Sequence, residues 1–81
     1  MIDLSLQYEH VLRPAPEEMD RETRALFYAR MRVIREEMEP TYRKRINRGD
    51  EEKEAFELCE REIYSKIAKE FGLAYSRHMY R

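Results

Sequence analysis

Tryptophan is absent from this chain of 81 residues, cysteine occurs once, glycine and histidine twice each, and proline three times. Each shortage closes a route. With Cys59 alone, no intrachain disulfide can form. His10 and His78 are far apart, and neither has a cysteine or a Glu-x-x-His partner at ligand spacing, so no metal site is expected. Two glycines cannot build a phosphate-cradling loop, and Ser5, Ser65 and Ser76 lack the context of a nucleophile elbow. A chain this short also encloses no pocket on the order of several hundred Å³ without a partner. The expectation is a protein with no enzymatic activity, no cofactor and no small-molecule substrate. No apolar run approaches the roughly 18 residues of a membrane span, and the N-terminus does not read as a signal peptide. A cytoplasmic protein without a membrane partner is therefore expected.

Charge is abundant. Asp, Glu, Lys and Arg make up 41% of the residues, yet they nearly cancel to a net charge of −1. An overall electrostatic pull toward nucleic acid is absent, so any such pull must come from a local patch. A single domain of this length buries only about 60% of the surface its unfolded chain exposes. With no disulfide or metal to supplement a thin core, good helix packing or self-association is left to do so.

With so few breakers, long helices are the default. Residues 1–15 are ambiguous. Ile2, Leu4, Leu6 and Tyr8 alternate as a strand does, whereas Leu4, Tyr8, Val11 and Leu12 fit one helical face. No second strand is evident to pair with, so an arm or short helix is expected. A long helix is expected over 16–39, opened by Pro16 and the acids Glu17, Glu18 and Asp20. Phe27, Met31, Ile34 and Met38 form its stripe, widened by Met19, Leu26 and Val33. Pro40 should break or kink this helix, leaving 40–49 as a short basic helix ended by Gly49, with Asp50 as the next N-cap. The second long helix, 50–72, carries Phe56, Cys59, Ile63, Ile67 and Phe71 on its apolar side. Gly72 followed by Leu73 reads as a Schellman-type stop, and 73–81 as one more short helix. The fold class expected is all-α: an antiparallel hairpin of two long amphipathic helices with short segments at both ends.

Three features bear on function. Residues 66–81 resemble the helix-turn-helix pattern when aligned on Ala68 and Gly72, with Ile67 and Leu73 apolar as that pattern requires. The resemblance implies a DNA reader, but His78 stands where an aliphatic residue would anchor the recognition helix. Arg43, Lys44, Arg45 and Arg48 form a basic cluster able to contact phosphates, with Arg77 and Arg81 as further candidates. Acidic residues come immediately after, from Asp50 to Glu57, and offer the same arginines internal partners. Arg30 and Glu60 each interrupt an apolar stripe, and either could snorkel to solvent. The two would pair across the hairpin if it turned near Glu39, whereas a helix only kinked at Pro40 and reaching Arg48 would set Arg30 against Ile67 and Ala68. The stripes together exceed what two helices cover alone. The function expected is a non-catalytic interaction module, self-associating or docking on a larger protein complex as an adaptor, inhibitor or accessory subunit. The rival is a small nucleic-acid-binding regulator.

Overall fold

A computed structural model describes residues 8–79 of the chain. The apolar alternation of Ile2, Leu4 and Leu6, and the candidate Arg81, lie outside the described residues. The elements run β1 (Tyr8–Arg13), a 3-10 turn (Pro16–Glu18), α1 (Arg21–Asn47), α2 (Glu52–Phe71) and β2 (Ala74–Met79). The two helices pack as an antiparallel hairpin. The strands at either end of the chain meet as a two-stranded antiparallel sheet, from Tyr8 opposite Met79 to Arg13 opposite Ala74. The fold is therefore mainly helical rather than all-α. No helix among the described residues is long and apolar enough to cross a membrane.

The second strand is the principal correction. Residues 74–79, expected as a helix, are extended, because the hairpin returns the chain to its start and a partner is waiting there. Alternation then sorts the side chains of both strands. Tyr8, His10 and Leu12 of β1, with Tyr75 and Arg77 of β2, face the helices. Glu9, Val11 and Arg13 lie on the opposite face, with Ala74, Ser76 and His78. The helix-turn-helix resemblance ends at Gly72, since residues 74–79 form a strand where a recognition helix would be needed.

The start of α1 also differs. It begins at Arg21, not Pro16, because Asp20 acts as its N-cap and accepts from the Thr23 backbone N–H at 3.2 Å. Pro16 opens the separate turn, which the Glu18 carboxylate ties to the Ala15 N–H at 2.8 Å. At Pro40 the helix neither stops nor breaks; α1 runs on to Asn47. The reason is placement. Pro40 is on the solvent side, and the carbonyl it leaves unbonded belongs to the exposed Glu36, where water can satisfy it. The hairpin therefore turns at Gly49, whose φ of 105° suits a residue without Cβ. Asp50 does not cap α2; it pairs with Arg48 at 2.8 Å. At the far end Gly72 adopts φ 66° and the Leu73 N–H donates to the Ala68 carbonyl at 2.8 Å, the Schellman closure.

The core lies between the hairpin and the sheet. Phe27, Met31 and Ile34 of α1 meet Ile63, Ile67 and Ala68 of α2, and Leu12 closes the cluster from β1. Met19, Met38 and Phe71 are partly buried against it. Leu26 and Phe56, placed on the same stripes by the sequence, are instead exposed. The sheet covers one face of the hairpin only, and both side chains fall outside its footprint.

Candidate functional site

The sheet is fastened to the hairpin by a seam of polar and aromatic side chains. At its centre the His10 ring lies parallel to Tyr64 of α2, with centroids 4.8 Å apart. One imidazole nitrogen, Nδ1, is 2.7 Å from the Tyr75 hydroxyl. The other, Nε2, is 3.5 Å from the Glu57 carboxylate. Arg77 of β2 donates to Glu57 at 2.9 Å and lies 4.4 Å over the Tyr8 ring. Arg35 of α1 forms a bidentate pair with Glu60 and stands 6.0 Å from the centre of the Tyr64 ring. Burial pushes the Tyr64 and Tyr75 hydroxyls up, away from the range of a phenolate nucleophile. No buried side-chain nitrogen or oxygen among the described residues lacks a partner. The seam ties the sheet to both helices through paired polar groups.

Of these residues, sequence reasoning singled out Glu60 and, as an anion contact, Arg77. It offered Glu57 as an acidic partner to the Arg43–Arg48 cluster and not to Arg77, and it missed His10, Tyr64, Tyr75 and Arg35. Their signal is their mutual proximity, and proximity between residues 65 positions apart, as His10 and Tyr75 are, leaves no trace in local spacing. The pairing of Arg30 with Glu60, which required a turn near Glu39, does not form. Because the turn sits at Gly49 and not near Glu39, Arg30 falls level with Glu70 and binds it bidentately at 2.6 and 3.1 Å. Glu60, only 7% exposed, takes Arg35 instead.

The basic cluster is dispersed by the helix that carries it. Arg43 reaches back to Glu39 at 3.0 Å, Arg45 crosses to Glu62 at 3.0 Å, and Arg48 holds Asp50. Lys44 is exposed. Arg45 and Arg77 approach α2 from opposite sides, since Glu62 and Glu57 lie on different faces of that helix. The described cations of the candidate set are thus not assembled into one track. Arg45 also places a nitrogen 3.4 Å from the Cys59 sulfur. Burial nonetheless holds that thiol above its ordinary range, as suits a small core residue and not a reactive one. Among the described residues no cluster of His, Cys, Asp and Glu is arranged to hold a metal ion.

Several large apolar side chains also remain open. Leu26 is 64% exposed, Tyr28 52%, Phe56 47% and Val33 40%. Phe56 borders an open groove of about 350 Å³ with Met38, Tyr42 and Cys59, just beyond the sheet. Leu26 and Val33 occupy the other side of α1. Comparison with protein families, with curated proteins and with solved structures found no match.

Proposed function

We propose that this protein is a non-catalytic helical interaction module, self-associating or docking on a larger protein complex. The observation that carries the reading is the set of large apolar side chains left in water on a domain too small to spare them. Fully burying a side chain such as Leu or Phe is worth about 1.5–3 kcal/mol. Leaving Leu26, Val33 and Phe56 exposed forgoes that stabilisation unless a partner supplies the cover. The internal pairing of Arg43, Arg45, Arg48 and Arg77 supports the same reading over a nucleic-acid regulator, because each would have to give up a carboxylate to take a phosphate.

The test is affinity capture of the full chain with mass spectrometry, retaining any nucleic acid that co-purifies. A mobility shift at low salt runs alongside, with Arg43, Lys44, Arg45 and Arg48 changed to Ser as control. We expect capture of protein, or of the chain itself, and no nucleic-acid binding tighter than the non-specific range of about 10⁻⁴–10⁻⁶ M. Submicromolar binding at near-physiological salt, abolished in the control, would reverse the ranking.

A further inference from the structure

We propose that the exposed seam of α1 built from Leu26, Ala29 and Val33 is the self-association surface of this protein, where two copies meet as antiparallel helices about a two-fold axis. The inference rests on the interaction-module reading and names its surface and partner.

Leu26, Ala29 and Val33 stand at i, i+3 and i+7, so they share one face of α1. All three are exposed, as is Ala25 beside them. That face points away from the buried Phe27, Met31 and Ile34 and from the sheet. A long apolar side chain flanked by two alanines is a shape another helix can enter closely.

The charges around the seam identify the occupant. Toward α2, Arg30 and Glu37 are already engaged by Glu70 and Lys66. On the outward side, Arg21, Glu22, Arg32 and Glu36 are exposed and, among the described residues, make no ion pair or side-chain hydrogen bond. Their order along the helix is basic, acidic, basic, acidic. Turning a second copy antiparallel, with the axis level with the turn holding Phe27 and Tyr28, sets Leu26 against Ala29 of the other copy. The same operation sets Glu22 within one residue of the level of Arg32 and Glu36 within two of that of Arg21, each twice by symmetry, with Val33 beside Glu22 of the other copy. A parallel pairing would instead stack Glu22, which shares the face of Leu26 and Ala29, on its own copy, which like-charge repulsion opposes. The patch is thus complementary to itself under a two-fold axis, the condition for an isologous dimer. Its two-turn length puts it at the small end of interface sizes, so a weak, reversible dimer is expected.

Sedimentation equilibrium on the full chain at micromolar concentration tests this, with circular dichroism to verify helicity. The variants are Leu26→Glu, Glu22→Arg, Arg32→Glu and the double reversal Glu22→Arg with Arg32→Glu. We expect a dimer for the unaltered chain, weakened at least about tenfold by Leu26→Glu, a loss of about 1.4 kcal/mol, with helicity unchanged. Each single reversal should weaken it and the double reversal should restore it. A dimer indifferent to Leu26→Glu overturns this surface and leaves the interaction reading standing. Failure of the double reversal to restore association overturns the antiparallel arrangement. A monomer at these concentrations overturns the inference outright, and the interaction reading is then decided by whether the capture experiment returns a different protein.

Discussion

Glu60 is a buried carboxylate whose charge is met by a half-exposed arginine, Arg35, and that asymmetry has a measurable consequence. Removing Arg35 strands a carboxylate out of water, whereas removing Glu60 frees a guanidinium that can swing into solvent. We expect Arg35→Met to destabilise by about 2–4 kcal/mol and Glu60→Met to be close to neutral, read from urea denaturation midpoints. Equal losses for the two variants would mean that the carboxylate is hydrated. Surface carboxylates set the acid limb. The Thr23 hydroxyl and backbone N–H hold Asp20 below its ordinary 3.8, Arg30 holds Glu70 below 4.5, and Arg48 holds Asp50 below 3.8. In this range the unfolded chain binds more protons than the folded one, so stability rises with pH. The contribution is complete above the ordinary values and is lost as pH falls through the lowered ones. The melting temperature should therefore drop as pH falls below 4.5, and Glu70→Gln should flatten part of that fall.

At the scale of elements, Pro40 is the informative position. It sits inside α1 with its ring toward solvent, so the helix survives at the cost of one hydrogen bond. Proline in a helix interior is about 3 kcal/mol less favourable than alanine, and a more flexible unfolded chain takes back about 0.4–1 kcal/mol of any gain. Pro40→Ala should thus stabilise the protein by about 2–2.6 kcal/mol, seen as a higher melting temperature with unchanged two-state character. A neutral or destabilising outcome would indicate that α1 is interrupted there, as the sequence alone suggests. The continuity of α1 also decides the ion pairs, because moving the turn from Glu39 to Gly49 changes which residues stand level across the hairpin.

At the scale of the whole molecule, stability depends on a sheet of two strands that could not persist alone. Leu12 is the side chain by which β1 enters the core cluster that holds Phe27, Met31 and Ile67. Leu12→Ala should cost about 2–5 kcal/mol, like other large-to-small core changes. It should also reduce hydrogen-exchange protection in β1 and β2 more than in the central turns of α1 and α2. Loss of protection in the helices alone would show that the sheet does not lean on this contact.

How much of this was legible in the sequence depends on the range of each interaction. The two amphipathic stripes, the stop at Gly72 and the central place of Phe27, Ile34, Ile63 and Ile67 are set by neighbours within a helical turn or two, and the periodicity carries them. The alternation from Ile2 to Tyr8 is visible too, but a strand is defined by its partner, and the partner of Tyr8–Arg13 is β2, at the opposite end of the chain. The side chains of Pro40, Leu26 and Val33 gain their meaning only from which face of α1 the sheet and α2 leave in water. His10, Glu57, Tyr64, Tyr75 and Arg77 become one seam by the same non-local folding. Local spacing determined the helices and their core; tertiary contact alone decided the sheet, the seam and the surface left open, because those depend on residues that meet only after the chain has folded back on itself.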